Sequence, residues 1–552
     1  MALSRPTSQA VPEGDPSRHD PWDVGPTAER QALMPRPALQ LRHLRKQYHT
    51  EQGAITVLAG LDLEIAQGEL VCVVGPNGCG KTTLLRILAG MEQPTSGQVV
   101  FQHQDKARAN IPPYLLQQEG DLFPWLSIRQ NLLLGQLRSP LPEDEYLARM
   151  MRYVERLGLQ HHLDHFPHQL SGGKRQRVSI LRSFLAASEF LLMDEPFAHL
   201  DPHNRRELQK LTLEIWQQEG HTLIFVTHDI QEAIHLGDRV LLMDGSGQAR
   251  LLVVDRPRPR DPWDPGVYSR DVLLREVLDV LRAPRRPAGI STDRVTTVPP
   301  PPGPHQILAP MLVLLAWEGL AGLGVIDIRF FPPPTEILHT LGEMARQGDL
   351  FLHWGASVAR QVAGLSLGGL VGVTGGLLLA IHAPLRRWLE PLINLSYPIP
   401  KLAILPFLML IFGFGELSKV ITLAIGAFFL LLLNTQQGVS QVLTTYRDTI
   451  TNLHLKGRSL LFSTLLKGAT PAILTGLRAA AGYCLVLLVA AEMTGTNRGL
   501  GYLIWHSWEL FNIDQMYVGL FMIALTGALT AMGIEGLARR WSWHKIDGGW
   551  GL

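Results

Sequence analysis

Residues 69–90 read ELVCVVGPNGCGKTTLLRILAG. The opening ELVCVV is an apolar run of β type, and KTTLLRILAG at the end carries a helical pattern. Between them Gly75-Pro76-Asn77-Gly78-Cys79-Gly80-Lys81-Thr82 fits G-x-x-x-x-G-K-[ST]. A strand, a glycine-rich turn and a helix opening is the context that pattern requires. The glycines let backbone N–H groups close around phosphates, and the helix amino end adds positive potential there. Lys81 neutralises the β/γ charge, the Thr82 hydroxyl ligates Mg²⁺, and Thr83 follows in the first helical turn.

Outward from this stretch, residues 38 to 268 alternate short β-type runs with helical segments, which defines an α/β domain with a largely parallel sheet. FLLMDEP at 190–196 is an apolar strand ending in Asp194 and Glu195. One carboxylate can hold Mg²⁺ through water, and the next can polarise an attacking water. The strand at 222–227 ends in Thr227-His228-Asp229, where the histidine can donate to a γ-phosphate. In Leu170-Ser171-Gly172-Gly173-Lys174-Arg175-Gln176, a serine and two glycines at a helix start expose N–H and hydroxyl donors, a second anion clamp.

Phosphate loop, LSGGKRQ, Asp-Glu pair and histidine occur in the order of the ABC transporter ATPase family, which the sequence resembles over about 38–268. The resemblance implies ATP and Mg²⁺ as ligands. It implies that Tyr48 stacks on adenine, against the reading of a surface aromatic at a strand end. It assigns Gln118, with Gln117 as the competing residue, to join Mg²⁺ and the attacking water to the permease. Asp201 matches the dimer-contact loop, although His199 stands where that loop usually has alanine. In this family the Ser171, Gly172, Gly173 and Gln176 signature of one ATPase completes the site of another. A second copy of the chain, or a related half-transporter, is therefore the implied partner, with a two-fold homodimer the simplest closure.

The chain has 552 residues, enough for three to four domains. Fifty Lys and Arg against forty-nine Asp and Glu leave a net charge of +1, which disfavours a nucleic-acid partner. Cys72, Cys79 and Cys484 are too dispersed for a disulfide framework or a C-x-x-C zinc pair. Residues 1–37, rich in Pro, Ser and charge, read as a disordered arm, and the first twenty hold no signal-peptide stretch, so the amino end is expected in the cytoplasm. A linker follows at 269–304, its proline-loaded part beginning at 282.

Beyond the linker lie six apolar stretches near the roughly 20 residues that cross a bilayer. They are 306–326 with Glu318, 361–381, 391–413 with Lys401, 419–438, 479–497 with Glu492, and 515–534. The alternative, buried helices of a soluble domain, fits poorly with stretches that hold no Asp, Glu, Lys or Arg. With the ATPase inside, the loops at 382–390 and 439–478 and the tail after 535 carry most of the Lys and Arg, as the positive-inside rule requires. The expected architecture is an α/β P-loop ABC ATPase domain followed by an all-α six-span transmembrane permease domain at 305–545 and a tail at 546–552. Its expected place is the bacterial inner membrane, with the ATPase cytoplasmic and the lipid bilayer as a partner.

Tyr397-Pro-Ile-Pro-Lys-Leu-Ala-Ile-Leu-Pro406 is a poor straight helix, because each proline removes a donor and crowds the preceding turn. PIPKLAILPFLMLIFGFGELSK, ILTGLR at 473–478, VAAEM at 489–493 and GLGYLI at 499–504 resemble the permeases of bacterial nitrate, sulfonate and taurine ABC importers. Intramembrane Lys401 and Glu492 read as a gate or translocation path, with snorkelling near a span end the competing reading for Lys401. Importer permeases carry a coupling helix in the loop at 439–478. Aligning on Pro471 puts Asp448 at its acidic triplet and His454 at its glycine, while Gly457 supplies the turn if the register slips by three. The implied function is an ATP-hydrolysing importer half taking a small anionic solute from an extracytoplasmic solute-binding protein. An exporter half and a membrane-anchored regulatory ATPase are the alternatives.

Overall fold

The computed structural model describes residues 37–50, 53–103, 111–117, 122–186, 188–198, 200–245, 247–254, 260, 305–457 and 459–541. The expected arm before residue 37, the linker at 269–304, the tail at 546–552, Gln118 and His199 lie outside these. Two compact units emerge: Met1–Pro112 with Glu189–Leu191 and Leu213–Leu281, and Pro113–Ser188 with Leu192–Thr212 and Arg282–Leu552.

The described strands are β1 (Pro37–Thr50), β2 (Gly53–Ala66), β3 (Leu70–Val74), β4 (Ser96–Phe101), β5 (Tyr114–Leu116), β6 (Phe190–Asp194), β7 (Thr222–Val226), β8 (Arg239–Met243) and β9 (Ala249–Val253). In the first unit β2-β1-β4 form an antiparallel sheet, and a second sheet runs in the order β6-β7-β3-β8-β9. In the second unit β5 lies beside β6. β3 is parallel to β7 and β8, and every residue of LVCVV and TLIFV is buried, the signature of strands covered on both faces. Val73 pairs with Val226, so Gly75 and His228 leave the sheet at the same end, two residues beyond each partner.

Helix α1 (Lys81–Leu88) follows the phosphate loop; α2 (Ile128–Leu133), α3 (Glu143–Arg156), α4 (Gly172–Leu185), α5 (Pro202–Glu219) and α6 (Ile230–Leu236) complete the ATPase region. Ser127 caps α2 by accepting from the Gln130 amide at 3.2 Å, while the Gln130 side chain accepts from the Ser127 amide.

The carboxyl-terminal half is helical: α7 (His305–Gly322), α8 (Pro334–Gln347), α9 (Asp349–Ile381), α10 (Ala383–Ser396), α11 (Leu405–Phe412), α12 (Glu416–Thr445), α13 (Arg447–Asn452), α14 (Leu466–Glu492), α15 (Leu500–Glu509) and α16 (Ile513–Trp541). Of the six expected spans, four to five are found among the described residues. Among the described residues four helical stretches are long and apolar enough to cross a membrane: Asp349–Ile381, Glu416–Thr445, Ser459–Glu492 and Ile513–Arg539. The pair α10 and α11 makes a fifth only if counted as one span, and it is bent by 90°. Pro398 and Pro400 stand at that bend, where they remove the donors a continuous helix needs. The first candidate, 306–326, is an apolar helix only over Met311–Gly322, shorter than a crossing requires.

α9 and α12 pack closely because Gly364, Gly368, Gly372 and Gly376 recur every four residues along one face of α9. A methyl group on Gly364 would sit 2.5 Å from Leu423 Cβ, on Gly372 2.8 Å from Phe428 O, and on Gly376 2.5 Å from Leu432 O. Gly372→Leu is therefore expected to destabilise the helical domain by about 1–3 kcal/mol through overpacking. Gly355→Leu on the same helix, where a methyl meets nothing within 4 Å, serves as the control. Thermal unfolding in detergent compares the two, and equal midpoints would contradict the close packing.

Candidate functional site

The phosphate loop lies wholly in the first unit. Gly80 caps α1 with φ 104°, and a methyl group there would sit 2.5 Å from Val57 Cγ1. One on Gly75 would sit 2.5 Å from Met243 O. Only glycine fits these positions, and Gly78 also has positive φ, 82°. The result is a backbone concavity with the amides of a helix start at its floor. Lys81 is buried along its stem, and its ammonium donates to Gly75 O at 2.8 Å and Pro76 O at 3.1 Å. This donor set suits phosphates, and the adjoining Thr82 hydroxyl is a hard oxygen ligand of the kind Mg²⁺ takes.

His228 is exposed just past β7 in the same unit. Thr227 N–H donates to Val73 O at 3.1 Å, and Asp229 caps α6 by accepting from the Gln231 and Glu232 amides. The histidine thus projects from a braced turn at the sheet end that also bears Gly75. Tyr48, on β1, is 36 % exposed, enough ring to stack on. Lys46 Nζ lies 5.1 Å from its centroid, and its hydroxyl donates to Glu92 at 2.6 Å. Burial first, then the Glu92 carboxylate, raises that hydroxyl above the usual phenol range.

The second unit holds the remaining ATPase residues. Asp194 ends β6, and Glu195 follows with φ 46°, an uncommon conformation for a residue with a side chain. Both are half-buried. Ser171 is the extended residue before α4, exposed, and its hydroxyl does not cap its own helix. Gly172, Gly173 and Gln176 form the first turns of α4. Asp201 accepts from the His203 and Asn204 amides at 3.1 and 3.0 Å and so caps α5. The Asn204 amide, then its side chain, hold the Asp201 carboxyl below the usual range.

The loop at 439–478, expected to hold the coupling helix, belongs to this unit too. Gln117, the competing residue for the outlying Gln118, donates from Nε2 to Asp448 Oδ2 at 3.0 Å. Asn452 grips β5 from both sides of one residue, accepting from Leu115 N–H at 3.0 Å and donating to Leu115 O at 2.6 Å. Arg138 donates to Asn452 O at 2.7 Å, and Trp125 Nε1 donates to Ser463 O at 3.1 Å. Tyr446 packs against both Trp125 and Phe123, with ring centroids 4.9 and 5.4 Å away, and those two rings touch each other at 5.3 Å. Burial lowers the Arg138 guanidinium to about 10. Burial first, then Arg138, also lowers the His454 imidazole. His454 has φ 52°, in the region glycine favours, and Gly457 has φ 57°.

Sequence reading missed Asn452, Arg138 and Trp125. A polar side chain among apolar neighbours carries no mark of a partner more than 300 positions away. Asn452→Ala is expected to weaken this docking by about 1–3 kcal/mol. Hydrogen exchange at the Leu115 amide reads it, and unchanged protection would argue against the clamp.

In the membrane half, Lys401 is buried at the bend, donating to Ser396 O at 2.7 Å and Tyr397 O at 3.0 Å with its ammonium 4.1 Å from the Phe429 centroid. The carbonyl end of α10 and an aromatic face thus hold the charge. Glu492, expected within a span over 479–497, is the last residue of α14 and of the apolar stretch Ser459–Glu492, and is fully buried. It accepts from Arg360 Nη1 at 2.6 Å, Ser357 Oγ at 2.8 Å and Gly501 N–H at 2.8 Å. Arg360, Ser357, Glu416 and Lys419 were also missed. Their signal was the polar and charged residues Ser357, Arg360, Glu416 and Lys419 at or just before the starts of the apolar windows, of which only Lys419 fell inside a window.

A phosphate-binding loop between a buried parallel strand and a helix, together with a polytopic helical domain in one chain, defines a membrane protein with a P-loop ATPase region. The ABC transporter family matches residues 58–198, and the family described as binding-protein-dependent transport system inner membrane component matches 372–542. The aliphatic sulfonates import ATP-binding protein SsuB of Pseudomonas fluorescens is 35% identical over 279 residues, covering 50% of this chain and 94% of that protein. An uncharacterized ABC transporter ATP-binding protein of Methanocaldococcus jannaschii is 37% identical over 225 residues, 40% of this chain and 84% of that one. The chain belongs to the ABC transporter family, with ATPase and permease segments fused. The bicarbonate transport ATP-binding protein CmpC of Synechococcus elongatus is 38% identical over 250 residues, 44% of this chain, which spans only 37% of that relative's length.

Proposed function

We propose that the chain is an ATP-hydrolysing half of an ABC importer that moves a small anionic solute, of the nitrate, sulfonate, taurine or bicarbonate kind, into the cytoplasm. The observation that carries this reading is the clamp of Asn452 on Leu115, which ties a membrane-helix loop to an ATPase strand within one compact unit. The import and bicarbonate-transport names of the SsuB and CmpC relatives support the direction and the solute class.

In this reading the loop from Gly75 to Gly80 cradles the phosphates of ATP, and Lys81 offsets their charge. Tyr48 carries the adenine. Thr82 and Asp194, with Gln118, hold Mg²⁺, which when bound supplies charge neutralisation at the phosphates. Glu195 orients and deprotonates the attacking water, and His228 donates to the terminal phosphate. Ser171, Gly172, Gly173 and Gln176 act on the nucleotide of a second protomer, and Asp201 braces the start of α5 near that contact. Two copies, or one copy with a related half, therefore form the working unit in the bacterial inner membrane, and an extracytoplasmic solute-binding protein delivers the solute. Asp448, His454 and Gly457 shape the coupling loop.

The test is uptake in proteoliposomes holding the purified chain, ATP inside, and a candidate binding protein outside. ATP-dependent accumulation of an anion only when that protein is added is the expected result. Accumulation without it, or net extrusion, would favour the exporter reading.

A further inference from the structure

α12 runs from Glu416 to Thr445, and its far end leads into Tyr446 and α13 of the coupling loop. Thirty residues at about 1.5 Å each put Glu416 about 45 Å along the helix from that loop. At the Glu416 end lies a cavity of about 660 Å³, lined among others by Arg360, Phe414, Glu416, Lys419, Asn497 and Arg498. Three of these six are cationic and one is acidic.

The two carboxylates on Arg360 are held differently. Glu492 is fully buried and fixed from three sides, by Arg360, the Ser357 hydroxyl and the Gly501 amide. Glu416 is 66% exposed and faces the cavity, receiving both Nε and Nη2 of Arg360, the latter at 2.6 Å. The Arg360 side chain is only 5% exposed. Its fourth donated bond goes to Arg498 O at 2.8 Å, so the guanidinium plane is set by groups other than Glu416. Lys419 donates to Phe414 O, Gly415 O and Gly495 O at 2.9, 3.2 and 3.1 Å, adding positive charge without a carboxylate of its own.

A planar guanidinium fork oriented by a buried counter-ion, and covered by a solvent-facing carboxylate, is a ready receptor for another group with two adjacent anionic oxygens. We propose that Arg360 is a solute-binding residue, and that a small oxyanion entering from the end opposite the coupling loop replaces Glu416 on its Nε–Nη2 edge. Glu492 remains as the fixed partner, so Arg360 is never left unpaired. With Glu416 displaced, Lys419 and Arg498 supply the remaining attraction. Because each arrival displaces a carboxylate, binding is weak enough for release, as conduction requires. The inference rests on the anion-importer reading and names the site that reading leaves open.

The experiment uses the full chain in neutral detergent, titrated with sodium methanesulfonate, sodium nitrate or sodium bicarbonate against sodium chloride at constant ionic strength. Dissociation constants come from the ligand-induced shift of the unfolding midpoint. Glu416→Gln removes the competing charge and is expected to tighten binding of at least one anion about tenfold, a change of about 1.4 kcal/mol. Arg360→Lys keeps the charge but loses the fork, and is expected to weaken it about tenfold or more. Unchanged or weaker binding in a Glu416→Gln protein with a wild-type circular dichroism spectrum would overturn the proposal. Should anion uptake persist in vesicles while Glu416→Gln leaves binding unchanged, the site is wrong and the importer reading survives. Tighter binding without uptake of any anion would uphold the site and remove the importer reading.

Discussion

Lys81→Ala is expected to lower ATP turnover by about 10²–10³-fold, the loss typical of removing one preorganised donor from developing charge. The ammonium is held within the loop by Gly75 O and Pro76 O, and alanine offers nothing to replace it. Nucleotide affinity falls with turnover, because the same charge offsets the phosphates before reaction. Glu195→Gln separates the two steps. It keeps the size and hydrogen bonding of the side chain but cannot take a proton, so nucleotide binding persists while hydrolysis drops by about 10²–10⁴-fold. Fluorescent-nucleotide titration and phosphate release on both purified variants distinguish these outcomes. Ordinary turnover in either one contradicts the role given to that residue.

The second large effect is structural. Glu492→Ala is expected to destabilise the helical domain by about 3–5 kcal/mol, because it strips Arg360 of its buried counter-ion. Ser357 and the Gly501 amide lose their acceptor at the same time. Glu416, exposed to solvent, compensates only in part. Glu492→Gln retains an acceptor and is expected to be milder, and removing Arg360 together with Glu492 is expected to recover part of the loss, since no unpaired charge is then buried. Unfolding midpoints in detergent of the wild type, Glu492→Ala, Arg360→Ala and the double variant complete the cycle, with Glu492→Gln read beside them. A single-variant midpoint equal to wild type would show that the buried pair does not hold these helices.

The difference in span count has the same origin as the missed ion cluster. Hydropathy reports how apolar a segment is, and it found the cores of α9, α12, α14 and α16. It does not report where a helix bends or begins. The window 391–413 is apolar apart from Lys401 and a few uncharged polar residues, yet the chain bends by 90° at its prolines. Similarly, α9 starts at Asp349 and α12 at Glu416, earlier than the apolar windows that begin at 361 and 419, so Arg360 and Glu416 were cut from the spans to which they belong. In the ATPase half the reverse holds, and the proposed roles of Lys81, Glu195 and His228 rest on local strings alone.

That contrast marks what the order of residues determined unaided. A phosphate loop is contiguous chain whose geometry follows from glycine's freedom and a helix start, so its chemistry can be read locally, as can the apolar windows of the membrane helices. Only the folded structure decided the pairs that join distant segments. Arg360 meets Glu416 across 56 positions and Glu492 across 132, and Asn452 meets Leu115 across 337. Those meetings depend on the rotation and register of packed elements, set here by the glycine face of α9 against α12 and by the ring cluster of Tyr446, Phe123 and Trp125. Hydropathy and spacing carry no information about either.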